Sequence, residues 1–134
     1  MNKLFAKLLF AALVVASVPA NAGTYDVETK ANRAVGLGNH YVYSRTCRPQ
    51  VIPDIKVKKE PKHGKVILRT VVVPVSEKKW PMCKGKKTKA RQVIYKPNKN
   101  YRGDDKFTVQ YSFPKFTNGS TRRYVTNTFK VKVK

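Results

Sequence analysis

The sequence predicts an all-β fold, and three features of the chain lead to this prediction. From Val51 onward, apolar residues recur with a period of two, which is the spacing of a strand with one buried face. The apolar segments are short, and Pro, Gly and Asn separate them. No stretch after residue 23 carries the sustained 3.6-residue period of an amphipathic helix. Several short strands at this spacing favour a sandwich or a small barrel.

Five segments carry the strand pattern, and turn-forming sequences separate them. The predicted strands include residues 55–57, 66–75, 93–95, 107–111 and 125–133. The turns are expected at residues 61–64, 80–89, 97–100 and 118–119. The Asn118-Gly119 pair predicts a hairpin between the last two strands.

Residues 23–46 are harder to interpret. Residues 25–27 and 41–43 each fit a strand, the glycines between them suggest a bend, and we expect at least one added strand.

The first 22 residues have the three parts of a cleavable export signal. Lys3 and Lys7 precede an apolar run over residues 8–18, and Ala20 and Ala22 form a small-residue cleavage site before Gly23. The apolar run is shorter than the roughly 20 residues that span a bilayer, and no second one follows. We therefore expect a soluble periplasmic or secreted product, with one basic domain over residues 23–134 and no transmembrane segment. Loss of two lysines would lower the formal net charge from +22 to +20.

Cys47 and Cys83 are the only two cysteines of the chain, so one intramolecular pairing is available. Exported proteins meet an oxidising compartment in which disulfides persist. Closing a loop of about 37 residues stabilises a small domain by roughly 4 kcal/mol in the chain-entropy model. There is no CxxC motif, and His40 and His63 are the only histidines, which disfavours redox catalysis and a zinc site. The sequence predicts a disulfide.

Four motifs between residues 51 and 134 resemble those of bacterial Ig-like or cadherin-like domains. They are Pro61-Lys62-His63-Gly64-Lys65-Val66, Val93-Ile94-Tyr95-Lys96-Pro97, Tyr101-Arg102-Gly103-Asp104-Asp105-Lys106-Phe107 and Phe129-Lys130-Val131-Lys132-Val133. The resemblance implies a seven-stranded Ig-like Greek-key β-sandwich that acts as a binding, adhesive or spacer module without catalysis. This chain departs from such domains because it stands alone, is strongly basic and contains a cysteine pair.

No catalytic, cofactor-binding or metal-binding residues are predicted, and we expect no enzyme activity and no cofactor. The only acidic cluster is Asp104-Asp105. In the family pattern Asp105 matches the aspartate of G-x-D-x-F, which implies a structural carboxylate that accepts backbone N–H bonds. A calcium site at the two carboxylates is the alternative, although Lys99, Arg102 and Lys106 surround it in sequence. Local sequence suggests no Ser/His/Asp set and no Cys/His pair.

Positive charge is the strongest functional signal, and two stretches concentrate it. The first stretch, residues 78–91, contains no acidic residue. The second consists of Lys115, Arg122 and Arg123, which flank the predicted hairpin turn. Such a loop attracts anions and binds polyanions through counterion release. Trp80 is the only tryptophan and is either a packing residue beside the disulfide or a recognition aromatic. The polyanion-binding candidates are Lys78, Lys79, Trp80, Lys84, Lys86, Lys87, Lys89, Arg91, Arg122 and Arg123.

The partner classes that follow are anionic polymers or surfaces of the cell envelope or its surroundings. They comprise lipopolysaccharide, anionic polysaccharide, anionic lipid headgroups and extracellular nucleic acid. Lysine outnumbers arginine in the candidate loop, which favours diffuse charge attraction over readout of individual groups. The alternative is a structural or assembly protein of the envelope that pairs with a protein partner. In that case lysines on solvated faces and strand edges serve solubility only.

Overall fold

A computed structural model describes residues 22–49, 51–114 and 121–134, and it confirms the all-β prediction. Seven strands and one short 3-10 helix form its regular structure. They are β1 Ala22–Thr29, β2 Val35–His40, β3 Asp54–Lys59, β4 Gly64–Pro74, the 3-10 helix Pro81–Cys83, β5 Lys87–Pro97, β6 Gly103–Pro114 and β7 Arg122–Val133. In the described part of the chain, no helix is long and apolar enough to cross a bilayer.

The strands form two sheets that pack face to face. The four-stranded sheet has the order β1-β7-β6-β3, and the three-stranded sheet has the order β2-β5-β4. β1 runs parallel to β7, whereas the other paired strands are antiparallel. The chain therefore crosses between the sheets after β1, β2, β3 and β5, and it forms hairpins at β4–β5 and β6–β7.

The main core lies between the two sheets and is built from the alternate residues that the sequence pattern predicts. The rings of Tyr95, Phe107 and Phe129 stack in a row, with centroids 5.7 and 5.1 Å apart. Val93, Val109 and neighbouring β-branched residues fill the space around them and are fully buried. Burying a large apolar side chain stabilises the fold by about 1.5–3 kcal/mol, so this row anchors the sandwich.

The β4–β5 hairpin buries opposite faces in its two halves. The strands pair without a bulge from Gly64↔Pro97 to Pro74↔Lys87. In the half near Gly64, the inward pairs are Val66↔Tyr95 and Leu68↔Val93. In the half near Pro74, the less exposed pairs are Val71↔Ala90 and Val73↔Thr88. Because successive strand residues point to opposite faces, the buried face changes at about residues 69–70 and 91–92.

The second half of this hairpin, with its loop, is called the arm and comprises residues 70–91. Val75, which follows β4, belongs to a second buried cluster with Tyr43 and Cys83. Tyr41, Cys47 and Trp80 pack against that cluster, so the β2–β3 connection covers one face of the arm. The other face of the arm, which carries Lys87 and Lys89, is exposed.

Three sequence predictions of local structure differ from the observed elements. The expectation of at least one added strand is confirmed, because β1 includes residues 25–27 and β2 is a second added strand. The other candidate, residues 41–43, lies outside a strand, and only Tyr43 forms an isolated bridge, with Pro49. Gly36 and Gly38 were interpreted as a bend, whereas β2 pairs with β5 through a register shift between Gly36 and Asn39. β5 also begins at Lys87, inside the expected turn 80–89, because its first residues continue the ladder with β4.

Several predicted features lie outside the described residues. These are the signal segment up to residue 21, Lys115, and the Asn118-Gly119 turn. β1 begins at Ala22, the last residue of the predicted signal peptide. Pro114, the last residue of β6, pairs with Arg122, the first residue of β7, so these two consecutive antiparallel strands form a hairpin.

Candidate functional site

Alternating strand directions place three connections at each end of the sandwich. One end carries the β2–β3, β4–β5 and β6–β7 connections, and we call it the disulfide end. The opposite end carries the β1–β2, β3–β4 and β5–β6 connections, and we call it the Asp105 end. The arm belongs to the disulfide end, where most of the predicted site residues lie.

The predicted disulfide between Cys47 and Cys83 is present, with Cα atoms 5.4 Å apart. It joins the β2–β3 connection to the loop of the arm, and Cys83 is buried. Two tyrosine hydroxyls support the same junction. The Tyr43 hydroxyl donates to the Cys47 carbonyl at 2.8 Å, and the Ser76 N–H donates to the Tyr41 hydroxyl at 2.9 Å. The arm loop is therefore fixed covalently and by hydrogen bonds.

Trp80 packs within the second cluster and also faces a cavity. Its ring meets Tyr43 edge to face with centroids 6.4 Å apart, and its side chain is half-buried. The same residue lines a cavity that opens beside the arm. Trp80 is therefore a packing residue beside the disulfide, as one of the two interpretations expects, and it also forms part of the cavity wall.

The arm carries six exposed lysines and one half-buried arginine. Lys87, Lys89 and Arg91 alternate on β5 and share a face, and the Arg91 guanidinium donates to the Thr70 hydroxyl at 3.2 Å. The lysines in the loop and at the start of β5 are Lys78, Lys79, Lys84, Lys86, Lys87 and Lys89. Glu77 is the only acidic residue between residues 61 and 103. Positive charge on the arm is thus almost uncompensated.

Acidic residues are segregated between the two sheets. The strands of the three-stranded sheet contain six basic residues and no acidic residue. The strands of the four-stranded sheet contain eight basic residues and five acidic ones, which are Asp26, Glu28, Asp54, Asp104 and Asp105. There, Asp26 is paired with Lys130 across the strands, and Asp104 with Lys132. Basic charge is partly neutralised on this sheet and left unneutralised on the other.

Arg122 and Arg123 lie on β7, in the four-stranded sheet, and not in the sheet that carries the arm. The Arg122 guanidinium forms an ion pair with Asp54 at 2.8 Å and donates to the Ser112 hydroxyl at 2.6 Å. Arg123 is exposed. The guanidinium of Arg122 is therefore already engaged, whereas none of the six arm lysines forms an ion pair with another described residue.

Asp105 is buried at the Asp105 end and accepts four hydrogen bonds. Its carboxylate receives the backbone N–H groups of Lys62 and His63 at 3.0 Å and that of Lys106 at 2.9 Å. The Tyr95 hydroxyl donates to it at 2.7 Å. Burial, together with this bond, raises the pKa of Tyr95. Three of the motifs that carry the family resemblance therefore meet at one carboxylate, which holds the β3–β4 connection against the sandwich.

This arrangement makes Asp105 a structural residue and offers little to a metal ion. Its oxygens are occupied by donors, and within the described residues no three His, Cys, Asp or Glu side chains form a cluster suited to a metal. The His63 ring stacks on Tyr101 with centroids 4.2 Å apart. That contact packs the β3–β4 and β5–β6 connections together.

Sequence reasoning missed a cavity of about 620 Å³ at the disulfide end. Rings from three separate segments form its walls, and they belong to Tyr41, Tyr43, Trp80, Tyr111, Phe113 and His40. The only sequence signal was the presence of aromatic residues in two connections that a predicted disulfide joins. Lys79 is also part of the lining, so the cavity is continuous with the arm.

Comparisons with models of known protein families, with curated proteins and with solved structures found no match to this chain. The function of this chain is therefore inferred from the chemistry of the site itself.

Proposed function

We propose that this protein is an exported, non-catalytic binding module for anionic polymers or surfaces, and that the arm makes the contact. The observation that carries the proposal is the segregation of charge. No acidic residue lies in the strands of the three-stranded sheet, and Glu77 alone lies in the arm. A polyanion approaching the arm meets exposed ammonium groups without a nearby carboxylate on the same strands to oppose it.

Exposure and rigidity of the arm support this function. Its lysines are solvated, so contact with phosphate, sulfate or carboxylate groups releases counterions without burying a lone charge. The disulfide and the second cluster hold the loop in place before a ligand arrives. A preorganised loop loses less conformational entropy on binding than a free lysine-rich tail would.

The strand order supports the finer proposal of an Ig-like Greek-key sandwich. In chain order, strands 3, 6 and 7 lie together in one sheet, and strands 2, 5 and 4 lie together in the other. Ig constant-type domains group the same strands, except that here β1 joins β7 in parallel. The disulfide end corresponds to the end whose B–C and F–G connections bind ligand in antibody variable domains.

Two observations support export to an oxidising compartment. The protein contains a disulfide and no free cysteine among the described residues. Cleavage after Ala22 would remove only the first residue of β1 and leave the strand paired with β7 from Gly23 onward. The proposed location is therefore the periplasm or the exterior of the cell.

A second candidate function is assembly through the free edge of β4. β4 has 11 residues and is the longest of the four edge strands, and it pairs with β5 without a bulge. Its exposed apolar residues include Val72, which is 65 % exposed. Lys65, Arg69 and Pro74 protect parts of this edge, but residues 70–73 carry no charge, and an uncharged apolar edge is a template for pairing with another strand. Sedimentation at rising protein concentration tests this candidate, which requires self-association or capture of a strand.

The binding proposal is tested with inorganic polyphosphate, a polyanion that contains no sugar. Lys84, Lys86, Lys87 and Lys89 are replaced together by Ser, and dissociation constants are measured from about 50 to about 200 mM NaCl. The matched control removes four exposed lysines from the four-stranded sheet, namely Lys58, Lys59, Lys106 and Lys130.

We expect the arm variant to bind at least about tenfold more weakly at the lower salt concentration, with a shallower salt dependence. The control variant, which has the same net charge, should lose about twofold or less. Equal losses in the two variants would show that only net charge matters. Binding that does not change with salt would contradict the electrostatic proposal.

A further inference from the structure

The exposed face of the arm continues the core-facing side of the β4–β5 hairpin. On β5, Val93 points into the core, and Arg91, Lys89 and Lys87 follow it at every second position. The ladder between β4 and β5 contains no bulge, so strand alternation is kept along its whole length. These three cations therefore lie on the core-facing side of the three-stranded sheet, beyond the point at which the core ends.

A cleft lies where this face of the arm approaches β3, an edge strand of the other sheet. Its volume is about 300 Å³. Residues 52–56 line it together with Thr70 and Arg91, and the Arg91 guanidinium donates to the Thr70 hydroxyl at 3.2 Å. Arg91 therefore connects the lysines of the arm to the beginning of β3.

A second hollow, of about 330 Å³, lies on the outer face of the four-stranded sheet. It is lined by Asp54, Lys56, Gln110, Ser112, Arg122 and Tyr124. Asp54 and Lys56 also line the cleft, so the two hollows adjoin each other across β3. The arm and Arg122, which belong to separate basic stretches of the sequence, are therefore joined by one path on the folded protein.

Arg122 is oriented by groups other than Asp54. Its Nε donates to the Ser112 hydroxyl at 2.6 Å, and its Nη2 donates to the Ser112 carbonyl at 3.1 Å. Its ion pair with Asp54 is solvated, since 72 % of the Asp54 side chain is exposed, and solvated pairs of this kind contribute little to stability. An anionic group of a ligand can therefore replace Asp54 as the partner of Arg122.

We infer that a single flexible polyanionic chain binds along this path. It contacts Lys87, Lys89 and Arg91 on the arm, crosses β3 beside Lys56 and displaces Asp54 from Arg122. Four residues along β5, the separation of the two sheets and two strand spacings make the path roughly 30 Å long. The inference rests on the proposed function and specifies a chain as the ligand within it.

A bilayer of anionic lipids fits these features less well than a chain does. The cleft and the hollow are narrow and lie on different sides of one edge strand, so a flat surface cannot enter both. A flexible chain can bend across β3 and place successive charged groups beside the cations. Clefts lined mainly by one sign of charge also concentrate the opposite charge, and Asp54 is the only acidic residue that lines either hollow among the described residues.

Two substitutions with opposite expected effects test the path, with long-chain inorganic polyphosphate as the probe. Asp54→Asn removes the carboxylate that competes for Arg122, and it should strengthen binding by about two- to fivefold at about 50 mM NaCl. Lys56→Ser removes the cation between the arm and Arg122, and it should weaken binding by a similar factor. Both side chains are exposed, so the fold should persist, which circular dichroism checks.

The matched controls make the same changes of charge elsewhere on the four-stranded sheet. They are Asp104→Asn and Lys58→Ser, at exposed positions that line neither hollow. Because exposed charges outside the path are screened by salt, each control should change binding by less than about twofold. Vesicles of phosphatidylglycerol and phosphatidylcholine are titrated in parallel, and Asp54→Asn should affect their binding no more than Asp104→Asn does.

The possible outcomes separate this inference from the proposed function. If Asp54→Asn and Lys56→Ser behave like their controls while the arm variant loses affinity, the inference is wrong and the proposed function stands. If the vesicles respond to Asp54→Asn and Lys56→Ser as strongly as polyphosphate does, a flat surface reaches the same residues and the inference is also wrong. If the arm variant binds polyphosphate with undiminished affinity, the proposed function itself is overturned.

Discussion

At the Asp105 end of the sandwich one buried carboxylate accepts four hydrogen bonds, whereas at the disulfide end two buried polar atoms form none with the described residues. At the Asp105 end, the connections are held together by hydrogen bonds from backbone N–H groups to the Asp105 carboxylate and by the stacked rings of His63 and Tyr101. The disulfide end uses a covalent bond and leaves a cavity with exposed lysines beside it. The comparison shows that hydrogen bonds hold one end together, whereas a disulfide holds the other end, where we propose that ligand binds.

The largest expected effect is at the Asp105 end. Asp105→Ala leaves the buried Tyr95 hydroxyl and three backbone N–H groups without their acceptor, and we expect a loss of about 3–4 kcal/mol in the free energy of unfolding. Urea unfolding followed by circular dichroism measures it. Asp105→Asn, which keeps one acceptor oxygen, should lose less.

The neighbouring Asp104 provides the control for this network, since its side chain is exposed. Asp104→Ala should change stability by less than about 0.5 kcal/mol. If both alanine variants lost the same small amount, Asp105 would not be the residue that fixes this end.

Removal of the disulfide should have the next largest effect. Replacing Cys47 and Cys83 together by Ser should lower stability by about 2–4 kcal/mol. Because the second cluster is separate from the main core, the loss should appear first in the emission of Trp80. The far-ultraviolet signal of the strands should persist to higher urea. Simultaneous loss of both signals would contradict the separation of the two clusters.

A smaller effect is expected from pH, again at the disulfide end. Burial lowers the pKa of His40 below its unfolded value of about 6.5, so the unfolded chain binds a proton before the folded protein does. Stability should therefore fall as pH drops below about 6.5 and continue to fall until the folded-state pKa is passed. His40→Phe should reduce this dependence, and His63→Gln, at the other end, should leave it intact. Unchanged pH dependence in His40→Phe would exclude His40 as its source.

Period-two alternation correctly predicted the strands that build the main core, because β3, β6, β7 and residues 93–97 of β5 each have one clearly apolar face. It could not predict the change of buried face in the hairpin. In β4, Val71, Val72 and Val73 are all apolar, so the sequence does not indicate which face is buried there. No strand was predicted at residues 35–40, because Gly36 and Gly38 were interpreted as a bend, whereas both occupy exposed positions of β2 where no side chain is needed for packing.

The site was predictable only in part, for a related reason. The disulfide followed from the cysteine count and the export signal, and the lysines of the arm followed from composition. The segregation of charge depends on which strands share a sheet, and the parallel pairing of β1 with β7 brings Asp26 and Glu28 to the four-stranded sheet. The cavity is formed by rings from three segments that are distant in sequence, and no local sequence pattern predicts that these segments lie together.

The central claim is that the arm binds polyanions. Acetylation of lysines in the wild-type protein, measured by mass spectrometry with and without polyphosphate, tests it most directly. We expect bound polyphosphate to protect Lys84, Lys86, Lys87 and Lys89 several-fold more than the exposed lysines of the four-stranded sheet, which include Lys58, Lys106 and Lys130. Protection spread evenly over both sheets, or concentrated on the four-stranded sheet, would contradict a binding role for the arm.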